Sequence, residues 1–301
     1  MNAFVLIALT LALGLVLQFT RLAGDKAAAR LNAYVINVAL PCLILYEMPR
    51  LTLDARALLP VATAWVVMTL TALIVWQVAR VAKWSKSVTG CLLLLLPLGN
   101  TGFVGIPLIN ALVGADGVGY AILYDQFGTF LVLNTFGIIV ATSFGGGASS
   151  AAMIARKIIT FPPFISLLLA IVVLAFNLPY PAALSGVLQL GAQSLVPVVM
   201  VAVGISWHLQ LERHHIAVFG FGLAVLLLLK PLLAWGVATL LGGEGVALTV
   251  VVLEAGMPAM ISAGALAMRY NLAPRLAASL VGYSLPVGIA SLFLWRALLA
   301  L

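Results

Sequence analysis

Charge is what this chain has least of. Only 8% of its 301 residues are Asp, Glu, Lys or Arg, against roughly 25% in soluble globular domains. With 64% hydrophobic residues and a mean hydropathy of +1.22, the composition excludes an ordinary soluble domain. It points to an all-α polytopic membrane protein. Cysteine is nearly absent. Cys42 and Cys91 each sit inside an apolar run, so neither a disulfide framework nor a clustered metal site is expected, and both read as packing residues. The chain also lacks a nucleophile elbow, a metalloprotease helix and a phosphate-binding Gly-Lys loop. An enzyme, an ATP-driven pump, a metal site and a bound cofactor are therefore not expected. The three histidines, His208, His214 and His215, share a short loop with Glu212 and Arg213 and read as solvated. The net charge of +7 comes from basic residues scattered between apolar runs. Without a stripe interleaved with exposed aromatics, they do not make a nucleic-acid surface.

Long apolar runs are what the chain does have. A helix needs about 20 apolar residues to cross the hydrocarbon core, and ten stretches approach that length: 2–19, 32–48, 58–80, 88–112, 117–141, 158–177, 184–207, 216–240, 246–270 and 275–299. The opening run, Met1 to Phe19, has no basic leader and no small-residue cleavage site, and reads as a first transmembrane helix. Eleven basic residues (Arg21, Lys26, Arg30, Arg80, Lys83, Lys86, Arg156, Lys157, Arg213, Arg269 and Arg275) fall on one side of these spans, and three (Arg50, Arg56 and Arg296) on the other. The positive-inside rule makes the first side cytoplasmic. The expectation is a multi-pass protein of the inner (plasma) membrane with both termini outside.

An internal repeat emerges once the spans are numbered. Span two carries Asn37 four residues before Pro41, and span seven carries Gln193 four residues before Pro197. Span four carries Asn100-Thr101-Gly102, and span nine Glu254-Ala255-Gly256. Both pairings have nearly the same offset, and the Gly-Ser stretch Ser143 to Ser150 lies at the midpoint. Five spans per half is an odd number, so the halves must enter the membrane from opposite sides. The expected organisation is a five-helix repeat at 1–142, a short cytoplasmic linker at 143–157 and a second, inverted five-helix repeat at 158–301.

Spans four and nine are both interrupted. Leu98-Gly99-Asn100-Thr101-Gly102-Phe103-Val104-Gly105-Ile106-Pro107 breaks the one, and Glu254-Ala255-Gly256-Met257-Pro258 the other. Freed backbone groups survive at membrane depth only when buried in protein or lining a cavity. Paired interruptions in two halves mark a transporter's binding site, and the new half-helix N-termini suit an anion. The alternative is a kink that merely permits close packing. Asp125, Lys230 and Glu254 lie near mid-span, where charges are costly and usually paired or functional. They read as a coupling or charge cluster, or as a structural ion pair. Gln126, Asn134, Asn37 and Gln193 could line the site or bond between helices.

These residues resemble the auxin efflux carrier family, which includes plant PIN-FORMED carriers and bacterial carriers of malonate or other organic acids. The resemblance rests on Asn100 to Leu108, Asn37 to Pro41, Lys230-Pro231, and Met257-Pro258 followed by Arg269-Tyr270-Asn271, and it covers essentially the whole chain. It implies ten helices in a 5+5 inverted repeat with two broken, crossing helices. Helices 1, 2, 6 and 7 would form a scaffold, and helices 3–5 and 8–10 a transport body moving as an elevator. The crossover asparagine would be Asn100, the crossover prolines Pro107 and Pro258, and the substrate site Asn100, Thr101, Gly102, Pro107, Gly256, Met257 and Pro258, with Asn37 and Gln193 beside it. The expected function is secondary transport of small organic anions. The alternatives are a sodium- or proton-coupled symporter of larger organic anions, or a membrane ligand sensor that does not transport. The expected partners are a small organic anion and the bilayer, not nucleic acid, with a homodimer left open. Glu254 to Met257 is also similar to the acidic segment of bile acid:sodium symporters. Pro258 stands where that segment would have Gln, so no complete sodium site is implied.

Overall fold

The computed structural model describes residues 3–20, 22, 24, 26–50, 57–146, 150–207 and 215–300. Arg21, Arg56, His208, Glu212, Arg213, His214 and part of the Gly-Ser stretch (147–149) lie outside the described residues. Every expected apolar stretch is helical over most of its length. The helices are α1 (Ala3–Phe19), α2 (Ala27–Arg50), α3 (Leu58–Val81), α4 (Lys86–Leu95), α5 (Thr101–Leu112), α6 (Ala115–Gly145), α7 (Ala151–Ile159), α8 (Pro162–Ala175), α9 (Ala182–Ile205), α10 (Ile216–Leu240), α11 (Gly245–Ala255), α12 (Ile261–Arg269) and α13 (Pro274–Leu298). Six of them (α2, α3, α6, α9, α10 and α13) are long and apolar enough to cross a membrane, and α7 with α8 makes a seventh if the bent pair is one span. The chain is thus an all-helical polytopic membrane protein.

Local chemistry sets the helix ends. Pro97 has no N–H to offer Leu93, so α4 stops just before it. The Ser150 hydroxyl accepts the Met153 N–H at 3.2 Å, and Arg156 and Lys157 complement the far end of α7. Residues 151–157, within the expected linker, are accordingly helical. Pro162 and Pro163 cannot continue α7 but can start a helix, and the chain bends by 62° there. Pro41 and Pro197 each leave the carbonyl four residues earlier without its helical donor. In α2 the turn before Pro41 widens into a π-helical stretch, Val35–Ala39, and in α9 the helix is interrupted at Ser194.

The helices pack in two sets. In one, α1 lies along the second half of α9, so close that a Cβ on Gly14 would stand 2.9 Å from the Gly204 Cα. The first half of α9 and α8 pack on α2, with Gly191 against the Cys42 side chain. In the other set α10 packs on α3 and α11, α11 on α3 and α6, and α4 on α6, α12 and α13. The sets meet across aromatic rings. Phe130 of α6 stacks on Phe161 with centroids 4.2 Å apart, Phe127 meets Phe164 edge-on at 6.0 Å, and the Trp207 indole donates to the Gly282 carbonyl at 2.6 Å.

Candidate functional site

The two interruptions meet in the interior. Gly99 and Ala259 form an antiparallel bridge. The Asn100 N–H donates to the Pro258 carbonyl at 2.8 Å and the Met260 N–H to the Leu98 carbonyl at 3.2 Å. The Ser284 hydroxyl accepts the Ala259 N–H at 3.0 Å. Backbone groups freed by each break are thus satisfied by the other break or by α13, as a dry interior requires. Gly99 is small because a Cβ there would meet the Met257 side chain at 3.2 Å. From this crossing α5 and α12 set out in opposite directions.

Asn100 caps α5 with its backbone and is 3% exposed. None of the described residues hydrogen-bonds its side-chain amide. That amide borders two cavities. One, of about 190 Å³, is lined by Ile36, Leu40, Gly102, Phe103, Asp125, Gln126, Asn134, Lys157, Phe161 and Ser262 among others. The other, of about 330 Å³, lies toward Trp207, Ser206, Ile261, Gly264 and Met268. The first turn of α12 therefore faces both cavities with Asn100. A third cavity, of about 700 Å³, lies beyond Pro107 and is lined by Tyr46, Glu47, Arg50, Asn110, Gln189 and Gln193. In it Arg50 lies over the Tyr46 ring at 3.6 Å and 3.9 Å from the Glu47 carboxylate.

The three buried ionisable side chains converge on the break before α5 and its first turns, each against a different glycine. A Cβ on Gly99 would stand 3.4 Å from the Lys230 Nζ, one on Gly102 3.0 Å from both Asp125 carboxylate oxygens, and one on Gly105 would collide with the Glu254 carboxyl. Three of the helices involved widen by a π-helical stretch at that point: Thr101–Gly105, Tyr124–Phe130 around Asp125, and Val225–Leu229 just before Lys230. Such wide turns redirect side chains and recur at functional sites. Asp125 is well served, with the Thr101 hydroxyl donating to Oδ1 at 2.5 Å and the Gln126 amide to Oδ2 at 2.7 Å. Glu254 is wholly buried, and among the described residues neither carboxyl oxygen has a hydrogen-bond partner. Lys230 makes no ion pair with either carboxyl: among the described residues the one charged pair within 4.0 Å is Arg50–Glu47.

The other expected site residues are distributed as follows. Gly102 lines the 190 Å³ cavity, while Thr101 is spent on Asp125. Pro258 is in the crossing, but Pro107 is the second residue of an α-helical turn and faces the third cavity. Gly256 and Met257 are buried behind the bridge. Asn37 is exposed and donates to Ala33 of its own helix at 2.7 Å, and Ile36 and Leu40 take its expected place. Gln193 lines the third cavity instead of the crossing. Lys157, Phe130 and Phe161 line the 190 Å³ cavity without having been singled out. The Arg156-Lys157 pair was the available signal for the first of them.

Comparison with known proteins covers nearly the whole chain. A family model described as membrane transport protein matches residues 1–296. An uncharacterized transporter of Methanothermobacter thermautotrophicus is 31% identical over 292 residues, 95% of this chain and 94% of its own. An uncharacterized transporter of Methanocaldococcus jannaschii is 27% identical over 300 residues, 95% of this chain and 96% of its own.

Proposed function

This chain belongs to the membrane transport protein family, and we propose that it is a secondary transporter of small organic anions with its substrate site at the crossing beside Asn100. The observation that carries this reading is the Asn100 side chain: a buried amide with unspent hydrogen-bonding capacity, facing two cavities beside the start of α12. An amide N–H, a helix N-terminus and the Lys157 ammonium together suit a carboxylate.

In this reading the ten helical stretches are ten spans, α4 with α5 and α11 with α12 being the interrupted ones, arranged as two inverted repeats. Arg156, Lys157 and Arg269 are cytoplasmic, the cavities at Asn100 open inward, and the cavity at Arg50 is the outer vestibule. The separation of the packing into two sets supports an elevator: α1, α2 and α7–α9 stay, and the rest carries the crossing past them. Rigid displacement of one repeat-derived body is an established way to alternate access.

The test is a thermal-shift screen of the purified protein against organic acids, followed by counterflow in proteoliposomes. We expect stabilisation by small carboxylates and exchange of the stabilising acid. Stabilisation without exchange would mean a ligand sensor, and stabilisation only by bulky amphipathic anions would overturn the size class.

A further inference from the structure

Around Gly99, Gly102 and Gly105 the protein buries two carboxyl groups and one ammonium. Lys230 can neutralise only one of the carboxyls. The other stays uncharged only as the acid, and the hydrogen bonds say which it is. Asp125 has a donor on each oxygen and is served as an anion. Glu254 has none on either oxygen, and an ionised carboxylate enclosed without donors is the costliest state a buried side chain can hold. We infer that Glu254 is a proton-binding site: it holds a proton in this conformation and, beside the substrate site, couples transport to proton movement.

The elements packed against α11 contribute few competing charges. Lys230 comes from α10, and Asp125 and the buried Tyr124 come from the wide turn of α6. The stretch of α5 against Glu254 is uncharged. Other charged groups on the neighbouring helices lie at their ends: Arg80 over Trp76 on α3, Asp116 in the exposed first turn of α6, and, on α13, Arg275 in the first turn and Arg296 on the Leu112 carbonyl. Loss of the proton would leave a carboxylate whose one available counter-charge is Lys230, now seated on Gly99. Deprotonation would thus draw the two together and change what lies against the crossing. The step is a simple ionisation, with the proton passing between the Glu254 carboxyl and water on the side to which the crossing is open. Because proton and anion would share one moving body, the coupling is symport.

The coupling half rests on the reading of Asn100 as the substrate site; the proton site itself does not. Two measurements keep them apart. The first is an infrared pH titration of the purified full-length protein without substrate. It should show a protonated-carboxyl band that is lost at alkaline pH, absent from Glu254→Gln, kept in Asp125→Asn and unmoved by sodium. A band that is missing at neutral pH, that follows Asp125, or that sodium alone abolishes would overturn the site. The second uses malonate, a dicarboxylate too polar to leak across lipid, in proteoliposomes held at zero membrane potential. With one proton carried per malonate, an inward gradient of one pH unit should give about tenfold accumulation, and Glu254→Gln should keep malonate counterflow while losing that accumulation. Accumulation that ignores pH would overturn coupling. Failure of both proteins to exchange malonate would count against the carboxylate reading, and the infrared titration would still decide the proton site.

Discussion

Gly99, Gly102 and Gly105 recur at every third position of one short segment, and an ionisable side chain from elsewhere comes up against each, together with Met257 at Gly99. Gly105→Ala should force the Glu254 carboxyl out of its seat, costing about 1–3 kcal/mol of stability as overpacking and abolishing uptake. Gly236→Ala on α10 is the control, since a Cβ there meets nothing within 4 Å, and thermal melts with uptake assays compare the two. Equal behaviour would show that the close fit at Gly105 is unimportant. Asn100→Ala should leave folding intact and weaken binding by about 1.5–3 kcal/mol, a loss of roughly tenfold or more, as when a hydrogen bond to a charged ligand is removed. Titration calorimetry with a stabilising acid checks it, and unchanged affinity in folded protein would refute it. Asp125, Lys230, Glu254 and Asn100 were legible because polar side chains at mid-span are rare. The pairing of each charge with one glycine was not, since it depends on the relative placement of α5, α6, α10 and α11.

The interrupted helices were readable for the same physical reason: Gly and Pro at membrane depth must be accommodated by something. Pro97 carried part of that signal for α4, alongside Gly99 and Gly102. The π-helical stretches were not readable, because an extra residue per turn is selected by packing and no residue type demands it. Nor was α7 foreseen as a helix, for a short segment with Arg156 and Lys157 looks like loop until Ser150 is seen to cap it. Asn37 shows the limit of a pattern match: its position before Pro41 repeats in Gln193, but the helix turns it outward, and its amide is satisfied by Ala33. Lys230 on α10 and Glu254 on α11 give a prediction that ties two elements together. Lys230→Met alone should impair uptake more than Lys230→Met with Glu254→Gln, because the single change strands the acid when it ionises. A double-mutant cycle reads the coupling, and strict additivity would dissolve the proposed cluster.

The two packing sets touch through aromatic rings and the Trp207–Gly282 hydrogen bond, and also where α1 and the second half of α9 approach α5. If one set travels, a disulfide across Phe130→Cys and Phe161→Cys, in a chain lacking Cys42 and Cys91, should stop transport while leaving ligand binding measurable. Continued turnover of the fully cross-linked protein would exclude relative motion at that surface. Orientation is tested separately by a cysteine introduced at Ser143 or Ser150. It should resist an impermeant reagent added to intact cells, and prompt labelling would invert the topology.

The Asn100–Pro258 and Met260–Leu98 hydrogen bonds also bear on how the protein is made. Each half of the chain supplies what the other half's break is missing, and those partners are separated by about half the polypeptide. At a synthesis rate of roughly 5–20 residues per second, the first break waits on the order of ten seconds in the bilayer before its complement exists. During that interval the nascent half must be sheltered by the insertion machinery or by water. An N-terminal half expressed alone should therefore be degraded, and co-expression with the C-terminal half as a separate chain should rescue it.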